Sequence, residues 1–246
     1  MGSNRIAMTT LYYLPKAHIS GNLASLPQEE AHHAVNVVRH KAGDMVYAVD
    51  GEGGWYQIRL TRVGKRIADG EILDTQLEYG EPAYKLTVGL AVLKNQKRFD
   101  LFVEKAAELG VSKIVPLVTS RTEKKSIKED RIRKILRAAM KQCGRSRLIE
   151  LSEVRLLNAF LNEVSDSLLL CCHEREKAES ALYKQLESYS GEREATVIVG
   201  PEGGFTDEEI DQVQSTGFKL TSLGTRRLRA ETAAIAVSTG VMLHWS

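Results

Sequence analysis

Residues Val197–Phe205 read VIVGPEGGF, and the character of the chain changes inside that stretch. Val197–Val199 is an apolar run suited to a buried strand. Gly200, Gly203 and Gly204 then form a turn, and Thr206 opens a helix. Thr206 with Glu209 three residues on is the signature of a capping box. Glycines at a strand–helix junction let backbone approach a ligand and leave N–H groups pointing outward. Ligands of open α/β sheets sit outside the carboxyl ends of strands, where this turn falls. It is not a P-loop, because no Gly-Lys-Ser/Thr follows, and it is not a GxGxxG fingerprint. On spacing alone, a strand–helix turn without a ligand accounts for it slightly better.

A second loop, Leu223–Ala234 (LGTRRLRAETAA), repeats the design. A strand ends near Leu223, and Leu223-Gly224 echoes Val199-Gly200. A helix rich in small residues is expected from Glu231 to Leu243. Two such loops from separate strands would form two walls of one small-molecule pocket. Arg226, Arg227 and Arg229 add local positive charge. The plainer account is a basic loop closed by Glu231 at a helix start, where an acid is favoured by the helix dipole.

Upstream, strand and helix patterns alternate. Leu86–Leu93, Lys113–Val118, Leu168–Cys172, Thr196–Val199 and Phe218–Leu223 read as strands. Arg98–Leu109 is amphipathic and stopped by Gly110, and Ile127–Cys143 is a longer helix with basic outer faces. The alternation implies an α/β fold with a mostly parallel sheet covered on both faces. The first eighty residues differ. Met45–Val49, Trp55–Val63 and Ile67–Thr75 are short strands punctuated by glycine, which suggests a small β-barrel. One helix, Glu29–Arg39, opens after Pro27 and carries Ala31, Ala34, Val35 and Val38 at helical spacing. Gly80–Ala83 reads as the linker, which predicts domains over residues 1–80 and 84–246.

The 246 residues, with 43% hydrophobic and 27% charged, are ordinary for a soluble globular chain and exclude a disordered or fibrous one. No apolar run reaches the ~18 residues of a membrane span. No signal-peptide core precedes residue 10, so a cytoplasmic location is expected; Met1–Ala7 reads as an added stretch ahead of a natural start at Met8. The three cysteines, Cys143, Cys171 and Cys172, form no CxxC pair, which argues against disulfides and cysteine zinc sites. Net charge is +2, but its distribution is uneven: Lys94–Arg147 holds 16 basic and 6 acidic residues, and Leu148–Ser215 holds 5 and 15. A basic block of this kind suits a polyanion through phosphate contacts, and equally suits a solvated helix face.

The six histidines make no metal spacing with carboxylates, so no metal is expected. No GxSxG motif occurs and no cysteine has an evident basic partner, so covalent nucleophilic catalysis has no support in the sequence.

Five stretches together resemble a known family. They are GPEGGFTDEEI (from Gly200), SLGTRRLRAETAA (from Ser222), LKNQKRFDLFVEKAAELGV (from Leu93), KQCGRSRL (from Lys141) and HHAVNVVRHKAGD (from His32). The first two, in that order near the C-terminus, resemble RNA methyltransferases of the SPOUT class. All five resemble the family that methylates N3 of one uridine in 16S ribosomal RNA. The resemblance covers essentially the whole chain. It implies a PUA-like β-barrel, an RNA-binding domain, followed by a SPOUT α/β domain whose C-terminus is tied in a trefoil knot.

The resemblance also assigns roles. S-adenosylmethionine would lie against Leu170 and His173, against Val199, Gly200, Pro201, Glu202, Gly203 and Gly204, and against Leu223, Gly224, Leu228, Arg229 and Thr232. RNA would be held by Arg39 and Lys41, by Lys94, Lys97 and Arg98, and by Arg131, Lys134 and Arg145. The family forms homodimers through the knot region, and its substrate is the small ribosomal subunit. Uracil N3 is a poor nucleophile until its proton leaves, and a cation near the carbonyl oxygens would stabilise the resulting charge. Arg229 is the candidate for that cation, with Glu231 or Thr232 orienting it or assisting proton removal. N3 lies on the pairing edge, so the uridine must be unpaired or flipped. Two further readings remain open: a SPOUT enzyme acting on another site or on a ribose 2′-hydroxyl, and an RNA-binding module with a vestigial pocket.

Overall fold

A computed structural model describes residues 10–164, 168–174 and 180–246; Met1–Ala7 lie outside them. The chain forms two compact units. One comprises residues to Glu81 together with Arg137–Leu148, and the other Pro82–Leu136 with Ile149–Ser246.

The first unit is built on six strands: β1 (Leu11–Tyr13), β2 (Ile19–Ser20), β3 (Leu23–Ser25), β4 (Met45–Val49), β5 (Gly54–Gly64) and β6 (Ile67–Leu77). Their order is β1-β4-β5-β6-β3-β2, antiparallel except where β1 meets β4. The long β5–β6 ribbon has register shifts at Gln57/Ile58 and at Leu60/Arg62. Such irregularities bend a ribbon and increase its twist, so its inner face can wrap a core. That core contains Tyr12, Leu14, Ala34, Val46, Ile58 and Leu60. The expected regular helix over Glu29–Arg39 is divided. Only α1 (Gln28–His32) is α-helical; His33–Val38 is a π-helix, closed by Arg39 in the left-handed conformation at φ 68°. A strict 3.6-residue period would bury Val38 with Ala34. The wider turn instead leaves Val37 and Val38 exposed.

Residues 137–148 belong to this unit through specific contacts. Met140 shares a cluster with Val49 and Trp55. Trp55 stacks between Tyr47 and Tyr79, with ring centroids 5.3 and 5.2 Å away. The Arg137 guanidinium lies 4.7 Å from the Tyr13 ring centroid, a cation–π geometry. Glu81 accepts from Arg145 Nε and Nη2 at 3.0 and 2.7 Å and from the backbone N–H groups of Ser146 and Arg147.

The second unit holds a parallel sheet: β7 (Lys85–Ala91), β8 (Lys113–Val118), β9 (Glu150–Leu151), β10 (Arg155–Leu156), β11 (Leu168–Cys172), β12 (Glu194–Val199) and β13 (Lys219–Thr221). The order is β10-β8-β7-β12-β11-β13, with β9 also on β8, and every pairing is parallel. Central strands β7 and β12 are almost continuously buried, as strands covered on both faces require. The helices are α2 (Gln96–Glu108), α3 (Glu129–Cys143), whose residues from Arg137 on belong to the first unit, α4 (Leu157–Leu161), α5 (Leu182–Glu187), α6 (Asp207–Ser215) and α7 (Ala230–Trp245). α2 begins two residues before the expected Arg98 because the Asn95 side chain accepts from Lys97 N–H and caps it. From β11 the chain moves to β12, then recrosses to β13 on the far side of β11. α7 afterwards packs on α2, α5, β7 and β12. A trefoil knot of the expected kind would be tied by that return. Among the described residues, no helix is long and apolar enough to cross a membrane, and no cluster of metal-ligating side chains occurs.

Candidate active site

Strands β11, β12 and β13 lie side by side and end at the same edge, because Cys172 pairs with both Val199 and Thr221. A cavity of about 420 Å³ opens there. The two glycine-bearing loops form its walls: Val199, Gly200, Pro201, Glu202, Gly203 and Gly204 on one side, and Leu223, Gly224, Leu228 and Arg229 on the other. His173, the first residue past β11, also lines it.

Each wall has an identifiable support. Thr206 and Glu209 make the expected capping box at the start of α6: Thr206 Oγ1 accepts from Glu209 N–H at 3.2 Å, and Glu209 Oε2 accepts from Thr206 N–H at 2.9 Å. The other oxygen of Glu209 accepts from Ser120 N–H at 2.7 Å, which ties α6 to the loop after β8. Arg121, on the same loop, donates to the carbonyls of Gly203 at 2.8 Å and Phe205 at 3.1 Å. Lys94 N–H donates to Glu202 Oε1 at 3.2 Å. On the opposite wall Gly224 has φ 111°, which L side chains rarely adopt. His173 N–H donates to Thr221 O at 3.1 Å and holds the β11 end against β13.

Not all expected residues face the cavity. Leu170 is fully buried within β11, and Thr232 faces solvent from α7 outside the lining. Glu231 also lies outside the lining and is buried at the start of α7. Its ion-pair partner is Arg98, with Nε 3.7 Å from Glu231 Oε1, rather than the expected Arg229. Arg229 is exposed and lines the cavity as the residue preceding α7. Residues outside the expected loops that line the cavity include Arg121, Phe205, Thr221 and Ala233. Phe205 lies within the glycine-bearing stretch read from sequence but carries no assigned role there. Arg121 gave no local signal, since its partners come from a distant loop.

The cavity is polar at specific points. Nδ1 of His173 and Oε2 of Glu231 are buried, and neither has a hydrogen-bond partner among the described residues. Arg98, Arg121, Arg226, Arg227 and Arg229 line it against Glu174, Glu202 and Asp207. Arg227 pairs with Glu174 at 3.0 Å. Burial pushes the Cys172 thiol up to about 12, so it stays neutral. The arrangement can hold a small polar molecule against backbone amides and apolar side chains and can present cations to developing negative charge.

The cations expected to meet RNA fall into distinct situations. Arg39 and Lys41 are exposed on the first unit. Lys97 and Lys134 are exposed on the second. Lys94 pairs with Glu123 at 2.9 Å. Arg131 donates to Asp100 at 2.7 Å. Arg98 lines the cavity, as given above. Arg145 departs from expectation: its side chain is 6% exposed and paired with Glu81, so it braces the first unit instead of meeting phosphate. Burial of a charge is tolerated only with such pairing, and that pairing removes it from the surface.

Comparison with known proteins agrees with this architecture. The family model described as an RNA methyltransferase domain matches residues 80–242, and one described as an RNA methyltransferase PUA domain matches residues 26–73. Ribosomal RNA small subunit methyltransferase E of Rickettsia conorii is 31% identical over 213 residues, covering 86% of both chains. The protein of the same name from Aquifex aeolicus is 30% identical over 221 residues, covering 88% of this chain and 93% of its own. A crystal structure of ribosomal RNA small subunit methyltransferase E from Neisseria gonorrhoeae, bound to S-adenosyl methionine, superimposes with TM-score 0.83 at 27% identity over 96% of this chain and 98% of that one. With both domain models matched and relatives at 30% identity or above aligned over most of its length, the chain belongs to the ribosomal RNA small subunit methyltransferase E family.

Proposed function

We propose that this protein transfers a methyl group from S-adenosylmethionine to N3 of a uridine in 16S ribosomal RNA of the small subunit. The observation that carries the reading is the cavity at the ends of β11, β12 and β13, walled by two glycine loops within a chain of this family. Residues 1–80, joined by Arg137–Leu148 that the expected boundary places in the second domain, would serve as the RNA-binding barrel, and the rest of residues 84–246 as the methyltransferase domain. We assign the protein to the cytoplasm.

The cavity fits the donor. Its volume lies within the roughly 300–1,000 Å³ typical of small-molecule sites. His173 Nδ1 is a buried polar atom without a partner among the described residues, and Gly200, Leu223, Gly224 and Leu228 offer backbone groups beside apolar surface for an adenine. S-adenosylmethionine supplies, when bound, a methyl group on a reactive sulfonium. The protein therefore has to position the acceptor and stabilise charge. Arg229, exposed at the cavity wall, would stabilise the negative charge that spreads to the uracil carbonyl oxygens as N3 loses its proton. Glu231 would act from beneath, through its contact with Arg98. Thr232, exposed on α7 and outside the cavity lining, would orient Arg229 or assist removal of the N3 proton.

A homodimer is part of the reading. α7 is apolar around nearly its whole circumference, yet Leu243 is 72% exposed and Ile235, Ala236 and Met242 are only half-buried. A helix apolar all round is normally buried, and a second copy of the chain would cover it.

Transfer of a labelled methyl group to small subunits lacking the modification, followed by nucleoside mass spectrometry, tests the reading. A 3-methyluridine product is expected. A 2′-O-methylated nucleoside, or no product despite donor binding, would overturn it. Sedimentation of the full chain tests the dimer.

A further inference from the structure

The π-helix of the first unit ends in a sequence of exposed side chains that its fold does not require. Val37 is 60% and Val38 39% exposed, next to Arg39 in the left-handed conformation. A π-turn and a non-glycine residue at positive φ are both uncommon, and such local departures concentrate where a protein binds something. The β5–β6 turn lies against this segment, because Asn36 Nδ2 donates to Lys65 O at 3.1 Å. Gly64 pairs with Ile67, so Lys65 and Arg66 are the two residues of the hairpin turn. Two-residue turns favour glycine and asparagine, so turn chemistry does not explain two adjacent cations.

Arg39, Lys41, Lys65 and Arg66 are all exposed and have no ion-pair partner among the described residues. The neighbouring acids are occupied or set apart. Asp44 accepts from Lys41 N–H and contacts His40 Nδ1, Asp69 is held by Arg62 and Ser25, and Glu29 lies on α1.

We propose that the end of the π-helix and the β5–β6 turn form one RNA-binding tip, in which Arg39, Lys41, Lys65 and Arg66 meet phosphates and Val37 and Val38 pack against an unstacked base. The proposal rests on the RNA methyltransferase reading and adds to it the turn residues Lys65 and Arg66 and the valine pair. Cations supply salt-dependent, sequence-independent affinity. Exposed apolar side chains beside them supply the wedge that nucleic-acid-binding surfaces insert at base steps.

The test compares the full chain with two variants, Lys65→Gln/Arg66→Gln and Val37→Ser/Val38→Ser, using naked 16S ribosomal RNA and small subunits lacking the modification. The charge variant should flatten the slope of log affinity against log salt by about 1.4, the contribution of two phosphate contacts on single-stranded RNA. Its KM for subunits should rise several-fold, with kcat and donor affinity unchanged. The valine variant should weaken RNA binding at every salt concentration with an unchanged slope. Wild-type slope and KM in both variants would overturn the proposal. So would a loss confined to intact subunits and absent with naked RNA, which would mark a ribosomal protein as the partner. Failure of the wild-type chain to methylate RNA at all would instead overturn the underlying reading.

Discussion

The Glu231 carboxylate, buried at the start of α7, stands 3.7 Å from Nε of Arg98 at the start of α2, and its second oxygen has no hydrogen-bond partner among the described residues. One contact thus joins the base of a cavity wall to the helix that follows β7. It also gives Glu231 a role that sequence adjacency had assigned toward Arg229. Replacing Glu231 by Ala should lower stability by about 1 kcal/mol, because Arg98 retains partial access to water. Urea unfolding of Glu231→Ala, Arg98→Ala and the double variant measures this. Strictly additive losses would show that the two side chains do not interact.

Arg121 should matter to donor binding without touching the reaction. Its guanidinium fixes the carbonyls of Gly203 and Phe205, and so fixes the direction of the amides on the cavity side of that loop. Arg121→Ala removes both hydrogen bonds and should raise the Kd for S-adenosylmethionine by roughly tenfold, the equivalent of about 1.4 kcal/mol. Titration calorimetry reads this directly, and an unchanged Kd would dismiss the role.

How much of this was legible in the sequence depends on the range of the cause. The capping box at Thr206 and Glu209 and the parallel sheet follow from local pattern, and both are present; the two-walled pocket does not, because spacing alone slightly favours a turn without a ligand. The π-turn at His33–Val38 was not legible, because a helical period assumes 3.6 residues per turn and has no signal for its own failure. Arg145 misled for another reason. A basic residue in a basic segment looks solvated until a distant acid, here Glu81, is known to stand beside it. Arg121 and the Arg98–Glu231 contact were hidden likewise, since both join segments far apart in the chain.

The Glu81–Arg145 pair leads to a stability prediction opposite in sense to an RNA-binding role. Both side chains are under 10% exposed, and the carboxylate also accepts two backbone N–H groups. Removing either member leaves the other charged and buried, at a cost of about 3–5 kcal/mol. Arg145→Met should therefore lower the thermal midpoint sharply, whereas Lys134→Met, on an exposed side chain, should leave it within experimental error. Equal, small effects from the two substitutions would return Arg145 to the surface.

Cys172 permits a test of the cavity floor that needs no RNA. Desolvation raises its thiol from an ordinary value near 9 to about 12. The folded state thus holds the proton more tightly than the unfolded chain. The contribution to stability is present below about pH 9 and is lost as pH rises from there toward 12, at up to about 1.4 kcal/mol per pH unit. At pH 8 the native thiol should resist iodoacetamide, since the thiolate is the reactive form. Unfolding in urea should restore ordinary reactivity, and Cys172→Ala should flatten the fall in stability above pH 9. Rapid alkylation of Cys172 in the native protein at pH 8, read by peptide mass spectrometry, would mean that its surroundings on the cavity wall do not hold the thiol protonated.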